Sequence, residues 1–260
     1  QNGRIKDEGN FRLKSALREI VETFSLPLIV TPSQDVILYD IDPANQEAIQ
    51  SILEGAGIRK ETEIDPLVRY SMACPALPTC GLAITESERA IPGILDRIRT
   101  LLNQVGLPDE YFVIRMTGCP NGCARPYLAE LGLVGQRPGA YQLWLGASPN
   151  QTRLSEPFLD SVADADLEKI LEPIFVCFKQ QRLEDESFGD FCHRVGFAAL
   201  QDFIATYKTL TVGNKTTRHR IGVRDDVYDR LKAAAMAQGK SMSEIVNTAI
   251  DFYLQSQAES

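Results

Sequence analysis

The segment YFVIRMTGCPNGCARPYLAELGLVG, residues 111–135, runs from one predicted strand through two cysteines into another predicted strand. Tyr, Phe, Val and Ile favour strands, so YFVIRM (111–116) is predicted to be a strand, and LAELGLVG (128–135) another. Cys119 and Cys123 lie in the turn between them. We call this segment between the two predicted strands the cysteine turn.

A second cysteine pair lies upstream, in CPALPTC, which holds Cys74 and Cys80. The two pairs are spaced C-x5-C and C-x3-C, with 38 residues between them. Thiolates suit both iron–sulfur clusters and zinc. Structural zinc sites favour about two to four residues between paired cysteines, whereas a cluster is wider than one ion and tolerates longer loops. Spacing therefore favours a cluster, and leaves zinc or unrelated buried cysteines open.

The residues beside the cysteines also favour an inorganic group. Gly118 and Gly122 allow the backbone to approach such a group closely. Pro75 and Pro120 stiffen the two loops. A helical turn is expected after Cys119, and its amide N–H groups would present positive potential to an anionic cluster.

Composition narrows the class of protein. The net charge is −8, which argues against bulk attraction to nucleic acid, and six cysteines in 260 residues are too sparse for a disulfide scaffold. No apolar run approaches the ~18 residues that span a bilayer, so no membrane partner is expected. Residues 211–260 carry 7 Lys+Arg against 6 Asp+Glu, unlike the acidic remainder, which indicates a separate module.

Hydrophobic periodicity predicts an α+β chain. Residues 1–62 give the order helix, strand, strand, helix, which is a compact α+β unit. Residues 66–207 contain both cysteine pairs, an amphipathic helix between them that ends near Gly106, and further strands and helices. A polar linker is predicted at 208–217, and a strand followed by two helices at 218–256.

SMACPALPTCGLAITESERA and RMTGCPNGCARPYLAELGLVG resemble the cluster motifs of the sirohaem-dependent sulfite and nitrite reductases. The resemblance extends from about residue 1 to residue 207. CPALPTC with LAITESERA is closer to the sulfite reductases, and RPYLAELGLVG with YQLWLG and SFGDF is most similar to the ferredoxin-dependent plant and cyanobacterial branch. The resemblance implies that the chain is one half of a reductase that binds sirohaem and an iron–sulfur cluster. This half would consist of a ferredoxin-like α+β unit and a cluster-binding α+β domain.

The resemblance implies two cofactors, a 4Fe-4S cluster and sirohaem. All four cysteines, Cys74, Cys80, Cys119 and Cys123, would bind the cluster, and Cys123 would also be the axial ligand of the sirohaem iron and the catalytic cysteine. The expected reaction reduces sulfite to hydrogen sulfide with six electrons from reduced ferredoxin.

Three further residues are candidates for contact with sirohaem, all through the same resemblance. TPSQ (31–34) corresponds to a loop beside the macrocycle, so Thr31 and Gln34 are expected to hydrogen-bond its carboxylates. Arg115, one strand position from the cysteine turn, is expected to pair with a carboxylate. A plain turn for TPSQ and a structural salt bridge for Arg115 stay open.

The cationic residues that hold sulfite in this family have no counterpart in residues 1–207. The sequence is therefore interpreted as the C-terminal part of a longer reductase, whose N-terminal half is a required partner. We expect residues 1–260 alone to be inactive. The resemblance suggests a cyanobacterium-like cytoplasm or the plastid stroma as the compartment.

Residues 218–256 resemble the ribbon-helix-helix DNA-binding domains, in which two chains pair their strands into one ribbon. Alternation along the strand directs Ile221 and Val223 inward, and Arg220, Gly222 and Arg224 outward. The two arginines would then face bases or phosphates. Ser241 and Glu244 form a capping-box signature at the second helix. The tail could thus bind DNA or serve only to dimerise.

Two alternative functions stay open. Within the same class, the chain could be part of a ferredoxin–nitrite reductase. From another class, it could be chiefly a DNA-binding or dimerising protein. Cys177 and Cys192 stand apart from the four paired cysteines and are expected to be small buried residues rather than ligands.

Overall fold

The structure is a computed structural model that describes residues 4–214, 217–242 and 244–250. The chain divides into two compact units. The first unit comprises Gln1–Asp96, Tyr111–Asp164 and Ser187–Asp190, and the second comprises Arg97–Glu110, Ala165–Glu186 and Phe191–Ser260. The domain boundaries expected from sequence stay a prediction.

The amino-terminal part of the first unit has the expected order of helix, strand, strand and helix. A short hairpin, β1 (Asp7–Glu8) and β2 (Phe11–Arg12), precedes it. The elements are α1 (Leu13–Phe24), β3 (Leu28–Val30), β4 (Val36–Leu38) and α2 (Gln46–Gly55). Their shared core consists of Ile20, Leu26 and Ile49, against which Phe24, Leu38, Ile52 and Leu53 pack. Burial of the apolar faces of both helices holds this part together.

A five-stranded sheet forms the rest of the first unit, in the order β5-β6-β7-β8-β9. β5, β6 and β7 run parallel, whereas β8 and β9 are antiparallel to their neighbours. The strands are β5 (Met72–Ala73), β6 (Ile114–Thr117), β7 (Leu131–Arg137), β8 (Ala140–Leu145) and β9 (Glu156–Ala163). Sequence periodicity predicts β6, β7 and β8. It misses β5, because two residues are too few to show a period.

Two helices border the first cysteine loop in sequence, α3 (Pro66–Arg69) before it and α4 (Ile91–Val105) after it. α4 buries the apolar face that its periodicity predicts, namely Ile91, Ile94, Leu95, Ile98, Leu101 and Leu102. It ends at Gly106 as expected. The φ of Gly106 is 78°, and the next residue, Leu107, donates its N–H to the Leu102 carbonyl at 2.8 Å.

The helix predicted from FGDFCHRVGFAALQDFIATY is two helices, α6 (Phe188–Val195) and α7 (Phe197–Thr206). They follow α5 (Leu167–Gln181) in the chain, and α7 packs against α5. The break lies at Gly196, whose φ is 82°. This left-handed conformation suits glycine and interrupts a right-handed helix.

Most of the segment 208–217, predicted to be a polar linker, is a strand in the structure. β10 (Tyr207–Asn214) is a strand that pairs antiparallel with β11 (Thr217–Arg224). The segment is polar, which favours a linker, but Thr209, Thr211 and Val212 are β-branched, which favours a strand.

The helices expected after β11 are present in the described part of the tail. α8 (Asp225–Gln238) ends at Gly239, and residues 244–250 are helical. A small core joins the three elements, in which Val246 is buried against Val223, Tyr228, Leu231 and Met242. β11 pairs with a strand of its own chain, and the ribbon-helix-helix assignment is not confirmed.

The capping box at the last helix is confirmed. Ser241 Oγ accepts the Glu244 N–H at 3.3 Å, and Glu244 Oε2 accepts the Ser241 N–H at 2.7 Å. These reciprocal bonds satisfy two N–H groups at the helix start. Residues 251–256 of the predicted module lie outside the described residues. Within the described ranges, every helix is too short or too polar to cross a bilayer.

Candidate functional site

Sheet topology brings the two cysteine loops together. β5 and β6 are parallel neighbours, with Ala73 opposite Met116. Cys74 follows β5 directly, and Gly118 and Cys119 follow β6. Because parallel strands end at the same edge of a sheet, Cys74 and Gly118, which are 44 positions apart in sequence, emerge side by side.

Three backbone hydrogen bonds and one bond to sulfur hold the loops in contact. The Cys74 N–H donates to the Met116 carbonyl at 3.2 Å. The Gly118 carbonyl accepts N–H groups from Ile84 at 2.8 Å and from Thr85 at 3.1 Å. The Gly118 N–H donates to Cys74 Sγ at 3.3 Å. This N–H donor fixes the position of the sulfur at the junction of the two loops.

Gly118 is required by contact between the loops. A Cβ at this position would lie 2.6 Å from the Thr85 carbonyl oxygen and 2.7 Å from Ala76 Cβ. Gly122 has a φ of 67°, and a Cβ there would lie 2.7 Å from the Tyr127 ring. Gly118 therefore allows the two loops to pack closely, and Gly122 allows the second loop to fold back onto Tyr127, which is more specific than the close approach to an inorganic group expected from sequence.

The helical turn expected after Cys119 is smaller than predicted. The segment contains turns, closed by the Arg125 N–H to the Gly122 carbonyl at 2.7 Å, followed by a three-residue 3-10 helix, Pro126–Leu128. Proline at its start and the return into β7 prevent a longer helix. The positive potential attributed to a helix start is therefore not a feature of this turn.

The four cysteines differ in exposure. Cys74 and Cys119 are 7% and 8% exposed, Cys80 is partly buried, and Cys123 is exposed. In the described part of the chain, no three His, Cys, Asp or Glu side chains are grouped around a position for a single metal ion. Four thiols on two adjoining loops, with an N–H aimed at one sulfur, are a donor set that fits an anionic iron–sulfur cluster.

The TPSQ loop, which joins β3 to β4, reaches the first cysteine loop through Gln34. Gln34 has a φ of 66°, and its Nε2 donates to the Ala73 carbonyl at 2.9 Å. Thr31 acts within the loop, where its hydroxyl accepts the N–H groups of Ser33 at 3.3 Å and Asp35 at 3.1 Å. The structure thus brings Gln34 to the cysteines, while Thr31 shapes the turn.

Arg115 is buried beside the cysteine turn, and only 3% of it is exposed. Its Nη1 donates to the Arg125 carbonyl at 3.4 Å and its Nη2 to Gln151 Oε1 at 3.1 Å, while its Nε is buried without a hydrogen-bond partner. Burial and the charge of Arg125 lower the pKa of Arg115 to about 10, against an opposing effect of Asp35. No described carboxylate forms a salt bridge with Arg115, so the structural salt bridge considered from sequence is absent here.

Arg125, which follows Cys123 by two residues, was not predicted from the sequence. Its Nη2 donates to Ser33 Oγ at 3.0 Å, which links the TPSQ loop to the second cysteine loop, and its Nε is buried without a partner. The available signal was an arginine within a cysteine turn, in CARP. Proximity in sequence could have suggested it, but its tie to residue 33 could not be read from the sequence.

The two remaining cysteines are buried, as expected. Cys177 lies in α5 and Cys192 in α6, and they are 1% and 0% exposed. Burial raises the pKa of the Cys177 thiol to about 11, which disfavours the reactive thiolate. His193, next to Cys192, is exposed.

The residues proposed for nucleic-acid contact lie in β11. Arg224 is exposed and its Nε lies 3.4 Å from an Asp226 carboxylate oxygen. The side chain of Arg220 is outside the described part of the structure. Gly222 faces the Tyr207 ring, since a Cβ there would lie 1.6 Å from the tyrosine oxygen. This contact is incompatible with the outward direction expected for residue 222.

No family model matches the chain. A sulfite reductase (ferredoxin) of Synechococcus elongatus is 58% identical over 253 residues, which are 97% of this chain and 40% of that protein. Because the match covers 97% of this chain, it includes most of the tail. A sulfite reductase (NADPH) hemoprotein beta-component of Staphylococcus haemolyticus is 43% identical over 199 residues, 76% of this chain and 35% of that protein.

A solved structure of the Mycobacterium tuberculosis NirA protein matches with a TM-score of 0.57 over 72% of this chain and 36% of that one. At 22% identity it supports the mixed α+β fold alone. The chain spans at most about two fifths of the length of these curated relatives. The resemblance carried by the cysteine motifs is thereby confirmed, and the chain is a relative of the sulfite reductases that corresponds to 40% of a ferredoxin-dependent member.

Proposed function

We propose that this chain forms the cofactor-binding part of a ferredoxin-dependent sulfite reductase, which reduces sulfite to hydrogen sulfide with six electrons. The observation that carries this proposal is the contact between the two cysteine loops, in which the Gly118 N–H donates to Cys74 Sγ at 3.3 Å. The chain is 58% identical to a sulfite reductase (ferredoxin), and that relative is the reason for proposing sulfite as the substrate and ferredoxin as the electron donor.

Four cysteines would hold the cluster, namely Cys74, Cys80, Cys119 and Cys123. Cys123 would also ligate the sirohaem iron, a role supported by its exposure, because a shared ligand must face a second cofactor. When bound, the cluster and sirohaem supply the electron relay and the iron centre at which sulfite is reduced.

The chain's own groups would prepare this site. The Gly118 N–H stabilises charge on Cys74 Sγ, and burial of Cys74 and Cys119 keeps water from their sulfurs. Gln34 and Arg115 would contact the carboxylates of the macrocycle, with Thr31 shaping the loop that presents Gln34. A buried guanidinium with a free N–H is suited to a carboxylate.

The remaining sequence of a full-length reductase would complete the site. Its relatives are about two and a half times as long as the matched part. We infer that the cationic residues that bind sulfite lie in that remaining sequence, and that reduced ferredoxin is the electron donor. Residues 1–260 alone should then show no turnover of sulfite.

The test uses the full-length protein that contains this chain, purified anaerobically. Cys123→Ser should lose most of the sirohaem absorbance and ferredoxin-dependent sulfide formation, while Cys177→Ala, at a buried cysteine remote from both loops in sequence, should retain both. Iron and acid-labile sulfide report the cluster. Full cluster and sirohaem content in both Cys74→Ser and Cys123→Ser would refute the proposal.

Nitrite reduction is the alternative within this class. The ratio of kcat/KM for sulfite and nitrite, measured with the same reduced ferredoxin, separates the two. CPALPTC and the 58% identical relative favour sulfite. A ratio that strongly favours nitrite would assign the chain to nitrite reduction.

A dimerising or DNA-binding tail is a second proposal, favoured by the separate core around Val246. Because β11 pairs with β10 of the same chain, a two-chain ribbon would require β11 to exchange β10 for a partner strand. Deletion of residues 208–260 should then convert a dimer to a monomer in light scattering. Loss of salt-dependent DNA retention in the same deletion would indicate DNA contact through Arg220 and Arg224.

A further inference from the structure

Arg115 and Arg125 meet at the junction of three segments. Arg115 lies on β6, and its Nη1 donates to the Arg125 carbonyl at 3.4 Å. Arg125 Nη2 donates to Ser33 Oγ at 3.0 Å. β6, the second cysteine loop and the TPSQ loop therefore hold the two guanidinium groups in place.

The pair has no counter-charge in direct contact. Neither arginine forms a salt bridge with a described carboxylate, and Asp35 acts on Arg115 only as a nearby charge. Two like charges that are partly removed from water repel each other, and buried cations in proteins are ordinarily paired. The arrangement is therefore unfavourable unless an anion joins it.

Both guanidinium groups also have unused donors. The Nε atoms of Arg115 and Arg125 are buried and have no hydrogen-bond partner. Thr117, two residues after Arg115 on the same face of β6, has a buried hydroxyl that also lacks one. An ionised oxyanion accepts from several donors and donates to none, so it satisfies such a set.

We infer that Arg115 and Arg125 form one oxyanion site, which takes a peripheral carboxylate of the macrocycle bound beside the cysteine loops. The inference rests on the proposed function and adds Arg125 to it. A fixed carboxylate suits this position better than free sulfite does. A substrate leaves after each turnover, and its departure would each time leave two cations that are partly removed from water without a counter-charge.

The test compares Arg125→Gln and Arg125→Lys in the full-length protein, prepared with sirohaem and, from cells that cannot make it, without sirohaem. Arg89→Gln is the control, since Arg89 is exposed and paired with Glu86. Arg125→Gln should weaken sirohaem binding on the order of tenfold or more, because a charge-assisted bond is lost. Arg125→Lys should recover part of that loss, because lysine keeps the positive charge but cannot form the two parallel hydrogen bonds that a guanidinium makes to a carboxylate.

The unfolding midpoint of the protein with and without sirohaem distinguishes an anion-binding role for Arg125 from a structural one. In the sirohaem-free protein, Arg125→Gln should leave the unfolding midpoint unchanged or raise it, because the repulsion is removed. In the loaded protein it should lower the midpoint. An equal loss in both states would mean that Arg125 is structural and would overturn the inference.

Two other results would also overturn it. A raised KM for sulfite with unchanged sirohaem content would assign the site to the substrate. Unchanged sirohaem binding and unchanged KM would mean that another group, such as a carboxylate elsewhere in the full-length protein, neutralises the pair. Failure of the proposed function is distinct, since it would appear as wild-type protein without cluster or sirohaem.

Discussion

Replacing Gly118 by alanine places a methyl group where the two cysteine loops touch. The new Cβ would lie 2.6 Å from the Thr85 carbonyl oxygen and 2.7 Å from Ala76 Cβ, whereas ordinary contacts are 3.4–4 Å. The loops must separate by most of an ångström, because the obstacle at Thr85 is backbone. Overpacking of this kind costs about 1–3 kcal/mol, and weakening the two hydrogen bonds to the Gly118 carbonyl adds to it. We expect a loss of about 3 kcal/mol in the free energy of unfolding.

The assay is denaturant unfolding of the full-length protein, with iron and acid-labile sulfide measured per chain. The matched control is Gly81→Ala, beside Cys80, where a Cβ would meet nothing within 4 Å. It should change stability by less than ~0.5 kcal/mol and leave cluster content intact. If Gly118→Ala matched the wild type in both measurements, contact between the loops would not hold the cysteines together.

Four further outcomes are expected. Burial raises the pKa of Glu130 above its ordinary 4.5, so the folded protein keeps this proton where the unfolded chain has lost it, and stability falls as pH rises from about 4.5. Glu130→Gln should remove that slope in denaturation curves taken across pH, and an unchanged slope would contradict the assignment. Ser241→Ala should destabilise the last helix by about 1 kcal/mol, seen as faster amide exchange at residues 244–250, since the bond to Glu244 is lost. Gly93→Ala should stabilise α4 by about 0.5–1 kcal/mol in thermal unfolding, because a Cβ there meets nothing within 4 Å. Cys177, with a pKa of about 11 against an ordinary 9.0, should react with a thiol reagent about 100-fold more slowly in the native than in the unfolded protein, by peptide mass mapping.

Local features of the fold were predictable from local sequence. α1, α2 and α4 bury apolar residues that recur at helical spacing, so their sequences define both the element and its inner face. Gly106 ends α4 by the same kind of local signal. The capping box is likewise local, since Ser241 and Glu244 are three residues apart.

Features that depend on distant partners were missed. β5 has two residues and exists because β6, more than 40 positions away, pairs with it. β10 is a strand because β11 is its neighbour, although its polar composition favours a linker. Strand identity depends on a pairing partner and on burial, neither of which a single segment contains.

The chemistry of the site can be inferred from residue types and spacing: four cysteines in two pairs, at a spacing that favours a cluster, within motifs that relate the chain to the sulfite reductases. How these residues meet depends on the fold. The parallel pairing of β5 and β6 places Cys74 against Gly118, and a hydrogen bond over 92 residues joins Arg125 to Ser33. Residue type sets what a side chain can bind, whereas the burial of Arg115 and the unmet Nε donors of Arg115 and Arg125 arise only when distant segments pack together.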